Sequence, residues 1–125
     1  MKLRIRGNSI RLRLTKSEVT TLGEGGRVAE TVIFAPSKTF TYAIEAADIE
    51  SMQAEYANDV MLIRVSRAWS YDWANSELIG MSIETPISEN AKLAVIVEKD
   101  FACLSPRGEE DADTFEHPLT GQTTC

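Results

Sequence analysis

Residues 2–14, KLRIRGNSIRLRL, alternate charged and apolar side chains on either side of a Gly7-Asn8-Ser9 interruption. Side chains alternate faces along a strand, so Leu3 and Ile5 fall on one side and Lys2, Arg4 and Arg6 on the other. After the interruption Ile10, Leu12 and Leu14 share a side, opposite Arg11 and Arg13. Gly and Asn tolerate the positive φ of tight hairpin turns, so the stretch predicts a β-hairpin. A slip of one residue would bury arginines, which fixes the register. The hairpin therefore has one apolar face and one face with five cations. Like charges directly opposite each other repel, so the cationic face calls for an anionic partner, supplied by the chain's own carboxylates or from outside.

The rest of the chain reads as further short elements. Thr15-Lys16-Ser17-Glu18 has the form of a capping box, and Gly23 supplies a stop, giving a two-turn helix with Val19 and Leu22 on one side. Residues 27–34 and 39–45 form a second hairpin about Pro36-Ser37-Lys38. Residues 51–56 alternate as a strand, Asn58-Asp59 turns the chain, and residues 60–65 return. Ser66 caps a second short helix whose Trp69 and Trp73 lie four apart on one face, a plug for the core. Residues 78–84 and 92–99 make the last hairpin about residues 86–90. Residues 93–97 are apolar on both faces and predict the most buried strand. No internal repeat of fixed period is visible.

These elements predict a mainly β protein with two short helices: an antiparallel eight-strand meander, barrel-like or strongly bent. Residues 1–104 form one antiparallel domain, and residues 105–125 an acidic, loosely held tail. The length of 125 residues suits one domain with a real core, and the 43% hydrophobic content is that of a globular chain.

Charge is segregated. The net charge is −6, which argues against general nucleic-acid or membrane-surface binding. Residues 2–16 nevertheless hold six cations and no acid, and residues 98–116 hold seven acids against Lys99 and Arg107. In a closed meander the first and last strands are neighbours, which brings Arg4, Arg6, Arg11 and Arg13 to Glu98, Lys99 and Asp100. These seven are the anion-binding or ion-pair candidates, and at least one of the arginines should lie within ion-pair reach of the C-terminal acids.

No GxSxG, P-loop or HExxH pattern occurs, and the single His117 leaves no buried base for a triad, so no catalytic residue is assigned and the expectation leans away from an enzyme. Cys103 and His117 are metal-ligand types at a spacing that matches no standard site; neither a metal nor another cofactor is expected. Two cysteines are too few for a disulfide framework, and residues near the N-terminus lack the apolar run of a signal peptide, which points to a cytoplasmic protein with reduced thiols.

The opening MKLRIRGNSIRLRLTKSEV and the later VEKDFACL, followed by an acidic stretch with Asp113 and Phe115, resemble a family of small bacterial proteins of unknown function. Members open with an RGNS hairpin, carry a tryptophan before the last hairpin and close on VEKDF-CL, an acidic run and Asn-Pro. Here Glu116-His117-Pro118 stands in place of Asn-Pro. The resemblance implies a shared fold and no activity. The chain is expected to be a soluble, non-enzymatic binding or interaction module, its partner a protein or small anion. The alternative is an anion- or polyphosphate-binding barrel enzyme of the triphosphate-tunnel type, whose layout is similar but whose N-terminal Glu-x-Glu-x-Lys is replaced by Leu3-Arg4-Ile5-Arg6. The direction of the arginines, into a lumen or outward, separates the two.

Overall fold

A computed structural model describes residues 1–101. The chain runs β1 (Lys2–Arg6), β2 (Ser9–Leu14), α1 (Lys16–Gly23), β3 (Arg27–Ala35), β4 (Lys38–Ala47), β5 (Gln53–Ala57), β6 (Val60–Ser66), α2 (Arg67–Ala74), β7 (Gly80–Ser88) and β8 (Ala91–Lys99). Eight strands and two helices are present among the described residues, as the sequence predicts. The meander and the barrel are not. The strands form two four-stranded sheets, ordered β1-β2-β8-β7 and β3-β4-β6-β5. Each sheet is mixed: outer pairs are antiparallel, but β2 pairs β8 and β4 pairs β6 in parallel. The first strand is an edge, and the last lies beside β2 in the middle of its sheet.

The two sheets are built from two copies of one plan. The first half is hairpin, helix, hairpin (β1-β2-α1-β3-β4), and the second repeats it (β5-β6-α2-β7-β8). Each half gives its first hairpin to one sheet and its second hairpin to the other, so the halves interlock. The correspondence holds residue by residue. Leu12 and Leu14 of β2 match Ile63 and Val65 of β6, all fully buried. Thr15 and Ser66 each accept a hydrogen bond from a helix N3 amide, that of Glu18 or Trp69. The Gly7-Asn8 turn matches Asn58-Asp59, where Gly7, Asn58 and Asp59 all have positive φ. From each turn a carbonyl accepts an amide of the parallel neighbour: Asn8 O from Ala94, Asp59 O from Thr41. The register shifts of the long hairpins, at Ile33/Ala35 and Pro86/Ser88, also coincide.

Both sheets feed one core of Leu12, Leu14, Ile44, Met61, Ile63, Val65, Val95 and Val97, closed by Val19 and Leu22 of α1 and Trp73 of α2. Trp73 is fully buried and its Nε1 donates to Ile79 O at 2.9 Å, so its one polar atom is satisfied. Trp69 is only partly buried and stacks on it, with ring centroids 4.8 Å apart. The helix α1 ends at Gly23, where the sequence places its stop, and Gly23 is itself the last helical residue. A Cβ there would lie 2.5 Å from Ala74 Cβ, so glycine lets the two helices meet. The left-handed position that follows the helix falls at Gly25, where φ is +85°. Pro86 lies within the edge strand β7, opposite Lys92, and not in the turn; an edge strand is where a sheet tolerates proline.

Candidate functional site

Arg4, Arg6, Arg11 and Arg13 stand on the outer face of the β1–β2 hairpin. Their in-register neighbours Leu3, Ile10, Leu12 and Leu14 turn to the core, so strand alternation places the cations outside. Lys2 is opposite Arg13, Arg4 opposite Arg11 and Arg6 opposite Ser9. Arg4, Arg6, Ser9 and Arg11 line a depression of about 100 Å³. At the foot of the face the chain's own acids approach. Glu98 of β8 is in register with Arg13 and takes its Nε at 2.7 Å; Arg11 Nη1 reaches the same oxygen at 3.4 Å. Asp100 pairs with Lys2 at 3.0 Å. Lys99 does not join them. Its neighbour position turns it to the other face, where Nζ donates to Ser76 O at 2.8 Å. Cys103 and His117 lie outside the described residues. No group of three or more His, Cys, Asp or Glu suited to a metal occurs among the described residues.

The repeated plan supplies an internal control. On the outer face of the other sheet, the positions that match Lys2, Arg4, Arg6, Ser9, Arg11 and Arg13 are Gln53, Glu55, Ala57, Val60, Leu62 and Arg64. Arg13–Glu98 has its equivalent in Arg64–Glu45, 3.2 Å apart and also in register. But Arg64 has a second carboxylate, Glu55, at 2.8 Å, and these hydrogen bonds raise its pKa. Arg4 stands where Glu55 would be. At these matched hairpin positions one face thus sets Arg64 between Glu45 and Glu55, whereas the other gathers five cations near Glu98 and Asp100. Sequence reasoning found the arginines through their period-2 spacing, but missed Ser9 and the Glu45–Arg64–Glu55 set. Those depend on which strands lie side by side.

Three other features carry less chemistry. A cleft of about 440 Å³ lies between the helices and the end of β8, floored by Leu14, Val19 and Ala74 and rimmed by Lys16, Lys99 and Asp100. At the start of α1, Glu18 accepts from the Thr15 amide and from the Met1 ammonium, both at 2.8 Å. Burial alone would raise its pKa; these bonds outweigh burial and bring it below the usual carboxylate value. Tyr42 donates to Glu30 at 2.8 Å, and burial together with that carboxylate raises its pKa.

A family model described as a family of unknown function (DUF7009) matches residues 1–119. The chain belongs to this family. The match takes in the cationic hairpin and both sheets. No curated protein and no solved structure matches the chain. No helix among the described residues is long and apolar enough to cross a membrane.

Proposed function

We propose that this member of the family is a non-enzymatic interaction module that docks an anionic partner on the outer face of the β1–β2 hairpin. The observation that carries the reading is the broken charge symmetry. Five cations occupy six positions whose equivalents in the other sheet hold one cation and one acid. Guanidinium groups spaced along two paired strands suit carboxylates, which they bind in a planar, bidentate manner. The partner is a carboxylate-rich protein segment. A long nucleic acid would meet the repulsion of a chain with net charge −6 beyond this one face. The triphosphate-tunnel reading needs a closed barrel with arginines in its lumen; the strands form two open sheets and the arginines face outward.

The test is a titration of fluorescent hexaglutamate into the protein at low salt. Saturable binding is expected. It should be lost in the Arg4→Gln/Arg6→Gln/Arg11→Gln variant and weakened from 0.1 to 1 M salt, over which the screening length falls from ~10 to ~3 Å. Binding that the triple variant leaves unchanged would place the partner elsewhere.

A further inference from the structure

We infer that the cleft between the helices and the end of β8 binds a small organic acid, an apolar body with one carboxylate, which Lys16 holds. The cleft shares no lining residue with the arginine depression, so this site is separate from the one above. The two halves of the molecule differ here. Leu14 is in register with Lys99 across β2–β8, and Val65 with Ala46 across β4–β6. Two residues further on, Phe101 and Asp48 therefore occupy matching places, and the helix starts match Lys16 with Arg67. The second half neutralises its own cation. Arg67 Nε pairs with Asp48 at 2.9 Å, and its guanidinium lies over Gly25, where a Cβ would stand 3.0 Å from Nη1. In the first half the cation is kept and its acid is not. Phe101, 62% exposed, stands in place of Asp48, and no carboxylate among the described residues pairs with Lys16.

The floor has changed in the same sense. Val19 and Thr20 stand where the second half has Ser70 and Tyr71, so one side is more apolar and less filled. The resulting cleft of about 440 Å³ has the size of a small-molecule site. Its other rim charges already have partners: Lys99 donates to Ser76 O at 2.8 Å, and Asp100 pairs with Lys2 at 3.0 Å. Lys16 is left to meet a ligand anion. An ammonium is a single point charge with three donors, which suits one carboxylate. The body of the acid then lies on Leu14, Val19 and Ala74 with the Phe101 ring at the edge, and each methylene buried there tightens binding about fourfold.

Octanoate and 1-octanol, one chain with and without the charge, test this by calorimetric titration into the full chain. Octanoate should saturate one site below about 1 mM and bind about tenfold more tightly than octanol. Lys16→Met keeps the apolar stem and removes the charge, and should bring the two probes to equal affinity. Phe101→Asp supplies the acid that the second half has, and should weaken octanoate more than octanol. Both side chains are on the surface, and unfolding curves that match the wild type confirm that the variants fold. The Arg4→Gln/Arg6→Gln/Arg11→Gln variant should bind octanoate as the wild type does. The inference is overturned by any of three results: no saturable binding by the wild type, a preference for octanoate that survives in Lys16→Met, or binding lost in the arginine variant. The last would move the acid to the arginine face, and none of the three bears on whether that face binds hexaglutamate.

Discussion

Glu18 shows how one side chain ties local structure to the rest of the fold. Its carboxylate closes the capping box with Thr15 and also holds the Met1 ammonium, 17 positions away. Because its folded pKa lies below the unfolded value, it contributes stability above the unfolded pKa and loses it as the pH falls through the folded one. Glu18→Gln should therefore cost about 1 kcal/mol at pH 7, from denaturant unfolding, and progressively less below about pH 4. A cost that does not change with pH would mean that the helix cap, and not the charge, matters there. Trp73 is the other residue with a single clear role. Truncation to Ala should lower stability by about 3–5 kcal/mol by opening a cavity between α2 and the core, checked by the same unfolding curves.

At the scale of elements, the two parallel junctions β2–β8 and β4–β6 hold the interlocked halves together. Each has an in-register Arg–Glu pair on its outer face, Arg13–Glu98 and Arg64–Glu45. A double-mutant cycle on Arg13 and Glu98 should give a coupling of about 1 kcal/mol, since both side chains are about four-fifths buried and the geometry is good. The cycle on Arg64 and Glu45 should have the same sign, and Glu55→Gln should enlarge it more than Arg11→Gln enlarges the first, because Glu55 competes for Arg64 at 2.8 Å whereas Arg11 competes for Glu98 at only 3.4 Å. Close approach also fixes the β7–β8 hairpin. A Cβ on Gly80 would stand 2.0 Å from Val97 O, so no side chain fits there without parting the strands.

For the whole molecule, two copies of one ββαββ plan have diverged at their surfaces while keeping one core. The copies agree where packing demands it, at Leu12 and Ile63, Leu14 and Val65, Thr15 and Ser66. They differ where solvent permits, and there the difference is one of charge. The arginine face is where that difference in charge is widest, five cations against the one cation and one acid at the matched positions. The edge strand β3, with Ile33 and Phe34 about 70% exposed, is a second surface on which the halves differ from full burial.

The sequence by itself determined the local elements. Period-2 alternation gave the β1–β2 hairpin, Thr15 and Ser66 gave the helix starts, and Asn58-Asp59 gave a turn with both residues at positive φ. These follow from interactions within a few residues. The outward direction of the arginines was open in the sequence, because alternation says which residues share a face but not which face meets the core. The pairing of sheets was decided only by tertiary structure. β2 meets β8 across most of the chain, and parallel pairing leaves no turn between the partners to announce it. The repeat was equally hidden, for Leu12 and Ile63 or Thr15 and Ser66 share volume and hydrogen-bonding capacity but not identity. Glu98 became the partner of Arg13 because a strand from the second half was laid beside one from the first.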